Sequence, residues 1–230
     1  MKPHFMKPIV LLLLILSSNF LFSQTAKAPL NVIVMNRSGK PIENDKITFV
    51  ATKSKLEIVG ITNKRGQFIV HLPAGDEYAI KVEVIGEELD YNTFEVPTPP
   101  AGAVFNMRTL EIRYELPESI VLEDLHFASG KFNIQKESYP VLDKLAEYLI
   151  RKKTLKIRIE GHTDSDGSEI SNKTLSENRA QAVKKYLESN GVPTGLIYAK
   201  GMGEENPIED NSTIKGKASN RRTEIHLVDN

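Results

Sequence analysis

The spacing of apolar residues changes once along the chain, near residue 117, and this change limits the folds that the chain can adopt. Before it, short strand-like runs such as residues 31–35 and 46–50 are separated by turn sequences about every ten residues. That arrangement is typical of an antiparallel β-sandwich. After it, stretches with helical spacing alternate with short strands. The sequence therefore predicts two domains, at residues 29–116 and 118–230.

The N-terminal half carries turn motifs between its predicted strands. Three short motifs resemble those of the carboxypeptidase-regulatory-like (prealbumin-like) β-sandwich, and they lie at residues 36–42, 62–68 and 72–78. In that family the first motif forms a hairpin and the last forms a tight turn before the next strand. The prolines at positions 97, 99 and 100 predict a loop or an edge, since proline does not fit a central strand. One more strand is predicted over residues 104–114.

The C-terminal half is predicted to be an α+β two-layer sandwich with the order β-α-β-α-β-β and its helices on one sheet. Ser138 is expected to cap the first helix, with Pro140 in its first turn. The basic end of this helix, at residues 151–153, is expected to complement the helix dipole without a partner. A second helix over residues 175–189 ends at Asn190-Gly191, a helix-stop sequence. Strands are predicted at residues 119–127, 155–160, 196–200 and 223–228.

Composition and the absence of catalytic motifs exclude several functions. The chain has 30 Lys and Arg against 30 Asp and Glu, so a general nucleic-acid binder is not expected. It has no Cys, which excludes disulfides, thiolate metal sites and Cys nucleophiles. The five His residues are scattered, and no Gly-x-Ser-x-Gly, His-Glu-x-x-His or phosphate-binding loop is present. We therefore predict no enzyme, no cofactor and no metal site; His162 is expected to stabilise a turn by hydrogen bonding.

The N-terminus has the features of a secretory signal peptide, assigned to residues 1–24. Lys2 and Lys7 precede an apolar run at residues 9–16 and a second apolar patch at residues 20–22. The apolar segment covers about 14 residues, fewer than the roughly 20 of a membrane-spanning helix. An uncleaved anchor is the alternative. We expect an exported protein of the periplasm or the cell outer membrane.

The second predicted helix places a charged residue on its apolar face. This face consists of Leu175, Arg179, Ala182, Val183 and Tyr186. A buried guanidinium needs a partner, and Asp164 lies in the polar turn that follows the strand at residues 157–160. If both residues face the same sheet, two interpretations are open. Asp164 and Arg179 form an internal ion pair, or Asp164 holds the cation and Arg179 the carboxylate of a zwitterionic ligand.

Three motifs, in order and at compatible spacing, resemble the OmpA-like peptidoglycan-binding domain over about residues 122–228. They are Glu160-Gly161-His162-Thr163-Asp164, Asn172-x-x-Leu175-Ser176-x-x-Arg179-Ala180 and Asn220-Arg221-Arg222-Thr223-Glu224-Ile225. The resemblance implies non-covalent binding of the peptide stem of peptidoglycan, with Asp164 and Arg179 gripping the amino-acid end of meso-diaminopimelate. It also implies ligand contacts, often through backbone amides, from the loop at residues 127–130, which contains Phe127 and Ala128.

Other positions of the predicted site carry open alternatives. Ala128 stands where the family commonly has Asp, so one side-chain contact is expected to be missing. Asn172 is expected either to brace the turn or to contact ligand, and Leu175 to be core and a wall of the site. Strand alternation sends Arg221 and Arg222 to opposite faces, so that one braces the acidic turn and the other is solvated.

The sequence as a whole predicts an exported envelope protein that binds the diaminopimelate of peptidoglycan and links an outer-membrane or periplasmic partner to the cell wall. The alternative is a structural adaptor that binds another envelope protein, with Asp164 and Arg179 forming only an internal ion pair. Retention on insoluble cell wall distinguishes the two.

Overall fold

The N-terminal half is built from seven β-strands in the computed structural model, which describes residues 26–228. The predicted signal peptide lies outside the described residues. The strands are β1 (Lys27–Met35), β2 (Lys46–Ala51), β3 (Glu57–Ile61), β4 (Gln67–Pro73), β5 (Asp76–Val84), β6 (Glu87–Val96) and β7 (Arg108–Arg113). They form a three-stranded sheet, β4-β1-β7, and a four-stranded sheet, β3-β2-β5-β6. Alternate residues of both sheets, among them Val32 and Phe49, contribute to the buried core.

Three features of this half differ from the sequence-based expectation. β1 pairs antiparallel with β4 but parallel with β7, so the pairing is not antiparallel throughout. The chain reaches β7 through the proline-containing segment after β6, which permits this crossover. β3 and β6 were not predicted. They lie at the two edges of the four-stranded sheet and are largely exposed, so they lack the alternating apolar residues that mark a half-buried strand.

The C-terminal half places its helices on a second four-stranded sheet. Its elements are β8 (Ser119–Val121), α1 (Tyr139–Lys152), β9 (Lys156–His162), α2 (Glu169–Ser189), β10 (Ile197–Gly203), α3 (Ile214–Asn220) and β11 (Thr223–Val228). The sheet order is β10-β9-β11-β8; β9 is parallel to β10 and antiparallel to β11. The described part of the chain thus has a mixed α/β architecture, as predicted. None of the helices in residues 26–228 has the length and apolar character needed to cross a bilayer.

Two glycines let α2 lie directly on the sheet. A Cβ on Gly161 of β9 would clash with the carbonyl oxygen of Ser176, and one on Gly201 of β10 would clash with the backbone of Glu177. Gly161 therefore faces α2, and its neighbours on β9 face the other side of the sheet. This close approach fixes the position of α2 relative to the end of β9.

Some element boundaries and one helix cap differ from the predicted ones. β8 ends at Val121 rather than at residue 127, and the chain continues through turns. α2 begins at Glu169, six residues before the predicted start, because Ser168 caps it by accepting a hydrogen bond from the Ser171 N–H. Ser138 precedes α1 as predicted, but its hydroxyl accepts from the backbone N–H of His126 at 2.7 Å and makes no cap hydrogen bond.

The basic end of α1 docks on the N-terminal half. Lys152 forms an ion pair with Asp45 at 2.7 Å, and Arg151 forms one with Glu83 at 2.5 Å. The Tyr114 hydroxyl also donates to Asp45. The expectation that this helix end needs no partner is therefore wrong. The cause is a tertiary contact, because α1 ends against the turn before β2, which contains the buried carboxylate of Asp45.

Candidate functional site

A cavity of about 560 Å³ opens between the turn after β9, the loop before α1 and the N-terminal part of α2. Six of the seven residues predicted for the site line it: Phe127, Asp164, Asn172, Leu175, Arg179 and Arg221. The seventh, Ala128, does not line the cavity; its backbone instead joins the hydrogen bonds of its own loop, accepting from Lys131 N–H. The structure therefore brings most of the predicted residues to one place.

Asp164 lies where the chain leaves β9, and it is only 7% exposed. One carboxylate oxygen accepts from the Asp166 N–H at 3.1 Å, and the other forms an ion pair with Arg221 at 2.6 Å. The turn itself is fastened to β10 by the Thr163 N–H, which donates to the Gly203 carbonyl. Asp164 is thus held in place with Arg221 as its cationic partner.

Arg179 does not pair with Asp164. Its Nε donates to the Lys131 carbonyl at 3.0 Å, and its guanidinium lies 5.1 Å from the centre of the Phe127 ring. Of the two open interpretations, the internal ion pair between Asp164 and Arg179 is therefore not formed. α2 places Arg179 against the loop before α1, and Arg221 occupies the carboxylate instead.

The terminal nitrogens of Arg179 have no hydrogen-bond partner within residues 26–228. Burial and the neighbouring charge of Arg221 lower the pKa of Arg179, whereas Asp164 opposes this shift. The guanidinium nevertheless remains a cation, since arginine is not deprotonated in proteins. A half-buried cation with unused donors on a cavity wall favours the binding of an anion, above all a carboxylate.

The helical position of Arg179 differs from the predicted one. The buried face of α2 consists of Asn172, Ser176, Ala180, Val183 and Leu187. Leu175 and Arg179 are half-buried at its border, one turn apart. The apolar residues alone misplaced the buried face, because small and polar side chains occupy it where α2 approaches the glycines of β9 and β10.

Asn172 braces the turn. Its side-chain amide donates to the Asp164 carbonyl at 3.2 Å and to the Glu204 carboxylate at 2.5 Å. Thr163 and Asp166, which are not among the predicted site residues, also line the cavity. The Thr163 hydroxyl is buried and has no partner among the described residues. The sequence feature that could have identified both residues is their position in the same polar turn as Asp164.

Arg221 and Arg222 point to different environments, as alternation predicts. Arg221 reaches Asp164 in the cavity, and its side chain is 46% exposed. Arg222 is not solvated: its side chain is only 6% exposed, pairs with Glu224 at 2.6 Å and donates to the Asn206 carbonyl at 3.1 Å. Of the two arginines, Arg221 is therefore the one that belongs to the cavity.

Comparison with known proteins places relatives on this half of the chain. The OmpA family model matches residues 126–221. Outer-membrane lipoprotein YfiB of Pseudomonas aeruginosa is 34% identical over 123 residues, covering 54% of this chain and 73% of YfiB. Peptidoglycan-binding protein ArfA of Mycobacterium tuberculosis is 41% identical over 99 residues, covering 43% of this chain and 30% of ArfA.

A solved structure, the peptidoglycan-associated lipoprotein from Burkholderia pseudomallei, matches with a TM-score of 0.44 and 27% identity, over 49% of this chain and 91% of that chain. The chain spans between 30% and 54% of the length of the outer membrane porin F and outer membrane protein A relatives it matches.

Proposed function

Because the chain belongs to the OmpA family, we propose that its C-terminal domain, residues 118–230, binds peptidoglycan non-covalently in the cavity between Asp164 and Arg179. The observation that carries this proposal is that one cavity has on its walls both a carboxylate held in place, Asp164, and a guanidinium with unused terminal donors, Arg179. The name of the relative ArfA, a peptidoglycan-binding protein, supports it.

The chemistry of the cavity fits the amino-acid end of diaminopimelate. The two terminal nitrogens of Arg179 offer parallel donors to a carboxylate, and packing on Phe127 restricts the plane of the guanidinium. Asp164 offers an acceptor to the ammonium group on the same carbon. Arg221 already pairs with the Asp164 carboxylate, so the ammonium group of the ligand would join an existing ion pair rather than an isolated charge. Leu175 and Phe127 supply the apolar walls.

The protein is a binding protein of the cell envelope and not an enzyme, and it belongs to the outer membrane or the periplasm. Its relatives include outer membrane proteins, an outer-membrane lipoprotein and a peptidoglycan-binding protein. The signal peptide at residues 1–24 accounts for export. Residues 29–116 form the carboxypeptidase-regulatory-like β-sandwich and bind a partner at the outer membrane or in the periplasm, so that the chain links this partner to the cell wall.

Co-sedimentation with purified sacculi tests the wall-binding function. The purified full-length protein should pellet with sacculi whose stems contain diaminopimelate, and Asp164→Ala and Arg179→Ala should remain in the supernatant. Arg65→Ala is the matched control, because this exposed arginine lies in a turn of the N-terminal half. Circular dichroism must show each variant folded.

Sacculi with lysine in place of diaminopimelate test the ligand. Lysine lacks the carboxylate that Arg179 is proposed to bind, so retention should fall. Equal retention on both wall types would contradict the diaminopimelate assignment but not wall binding. A wild-type protein that stays in the supernatant with both would overturn the function and favour the structural adaptor.

A further inference from the structure

Four potential metal ligands lie together on the face of the C-terminal sheet that points away from α2. Glu160 and His162 stand two residues apart on β9, and Glu224 and His226 stand two residues apart on β11. Glu160 and Glu224 are paired across the antiparallel ladder. Since residues two apart on a strand share a face, both Glu-x-His pairs point to the same side. That side is opposite to Gly161, which contacts α2.

His162 is the anomaly in this group. It is only 3% exposed, and neither ring nitrogen has a hydrogen-bond partner among the described residues. Its Nε2 points toward Glu224, at 3.9 Å from Oε1, which is beyond hydrogen-bonding distance. A buried imidazole with both nitrogens unsatisfied is costly and requires an explanation. The backbone N–H of His162 donates to the Arg222 carbonyl, but the expectation that its side chain stabilises a turn by hydrogen bonding is not met.

The two carboxylates are already oriented. Arg158 Nε donates to Glu160 Oε1 at 2.6 Å, and Arg222 Nε donates to Glu224 Oε1 at 2.6 Å. The second oxygens of both carboxylates converge on His226 Nε2, at 3.2 Å for Glu160 and 2.8 Å for Glu224. Arginines that hold one oxygen of each ligating carboxylate are the kind of supporting contact that orients metal ligands.

We propose that Glu160, His162 and Glu224, with His226 as fourth ligand, bind a divalent transition-metal ion of the zinc class. Two imidazoles and two carboxylates suit zinc, cobalt or nickel rather than calcium or magnesium. One ligand atom from each of the first three residues lies within 4.8 Å of the others. Bonds of about 2.0–2.2 Å in a tetrahedral site set ligand atoms roughly 3.4 Å apart, so these three side chains need to close by up to about 1.4 Å. His226 Nε2 lies close to the two carboxylates but outside this group of three, so its side chain must move further to bind the same ion.

The proposal explains the unsatisfied imidazole and the convergence of the carboxylates together. It does not depend on peptidoglycan binding, since these residues lie outside the cavity that contains Asp164. No metal site was predicted from the sequence, because the two Glu-x-His pairs are far apart in the chain and only the β9–β11 pairing brings them together. The competing explanation is an ionic network in which Arg158 and Arg222 neutralise the carboxylates completely.

Titration of the metal-free, full-length protein with zinc chloride, followed by isothermal calorimetry, tests the site. We expect one saturable ion per chain. His226→Gln and His162→Gln should each weaken binding about tenfold or more, the effect of losing a ligand or its support. His71→Gln is the matched control, because this exposed imidazole lies on β4 in the other half, and its zinc affinity should equal that of the wild type.

Cobalt(II) provides a second readout, since its visible absorption reports the ligand geometry directly and should change on binding to the wild type but not to His226→Gln. If His162→Gln fails to fold, His226→Gln decides the question, because its side chain is 23% exposed. Absence of saturable zinc binding by the wild type, or unchanged binding by the folded histidine variants, would overturn the proposal in favour of the ionic network.

Discussion

Replacing Lys152 with methionine should destabilise the protein strongly, because this lysine neutralises a buried carboxylate of the other half of the chain. Asp45 is 0% exposed, and its charged partner is Lys152 at 2.7 Å. Burial lowers the pKa of Lys152, and the charge of Asp45 opposes this shift. After the substitution, Asp45 keeps the hydrogen bond from the Tyr114 hydroxyl but loses its cationic partner.

The magnitude follows from the cost of leaving one charge buried and unpaired, about 3–5 kcal/mol. The Tyr114 hydroxyl continues to donate to Asp45, so the lower end, about 3 kcal/mol, is expected. For a chain of this length each kcal/mol shifts Tm by roughly 2–4 °C, so Lys152→Met should lower Tm by about 6–12 °C. Such a loss is a large part of a typical total stability of 5–15 kcal/mol.

Urea unfolding followed by circular dichroism measures this loss, and a double variant tests its cause. Asp45→Asn combined with Lys152→Met removes both charges, so it should recover most of the stability lost in Lys152→Met alone. Lys153→Met is the matched control: this neighbour is exposed, and its removal should change the free energy of unfolding by less than about 0.5 kcal/mol.

Two results would refute the reasoning. A loss below about 1 kcal/mol in Lys152→Met would mean that Asp45 is solvated or protonated at little cost. A double variant that is as unstable as the sum of the two single variants would mean that the residues act independently and that the ion pair does not join the two halves.

Two further outcomes are expected. Burial alone would raise the pKa of Asp76, but hydrogen bonds from the backbone N–H groups of Lys53, Ser54 and Glu77 lower it to about 2. The resulting stabilisation is present above the ordinary pKa of 3.8 and is lost as pH falls toward about 2. In Asp76→Asn the urea midpoint of unfolding should therefore depend less on pH between these two values than in the wild type. An unchanged pH dependence of the midpoint would contradict this. Arg179→Lys keeps the charge but loses two parallel donors, so its affinity for diaminopimelate-type sacculi should fall about tenfold or more in a sedimentation titration; wild-type affinity would argue against bidentate binding.

Local pattern predicted the parts of the fold in which one face is buried against a core. In β9 and β11 apolar and polar residues alternate, and in α1 the apolar residues stand at helical spacing. These elements were therefore predicted close to their observed positions. The exposed edge strands β3 and β6 carry no such pattern. Their position is set by backbone hydrogen bonding to β2 and β5, and the pattern of apolar and polar side chains does not reveal this pairing.

For the site, sequence motifs identified most of the residues that line the cavity but not how they pair. Asp164 was expected near Arg179, fifteen positions away, yet its partner is Arg221, fifty-seven positions away. The choice between two arginines depends on where α2 and the residues after α3 lie relative to the end of β9. Gly161 fixes the position of α2, because its missing side chain lets α2 lie close to the sheet. This is a tertiary contact, so the sequence motifs alone do not reveal it.

This change of partner leaves the terminal donors of Arg179 unused, as the proposed binding of a ligand requires. Had Asp164 and Arg179 paired directly, each would satisfy the other, and a zwitterion would have to break a buried ion pair before binding. Instead Arg221 balances Asp164 from a half-exposed position, and Arg179 is positioned by Nε and by Phe127 while its terminal donors stay unused. The ordering of the guanidinium thus precedes binding, which lowers the entropy lost when a carboxylate arrives. On this reasoning Phe127→Ala, which removes the ring beneath Arg179 together with one apolar wall of the cavity, should weaken wall binding while leaving both charges in place. Undiminished retention would show that the guanidinium needs no such support.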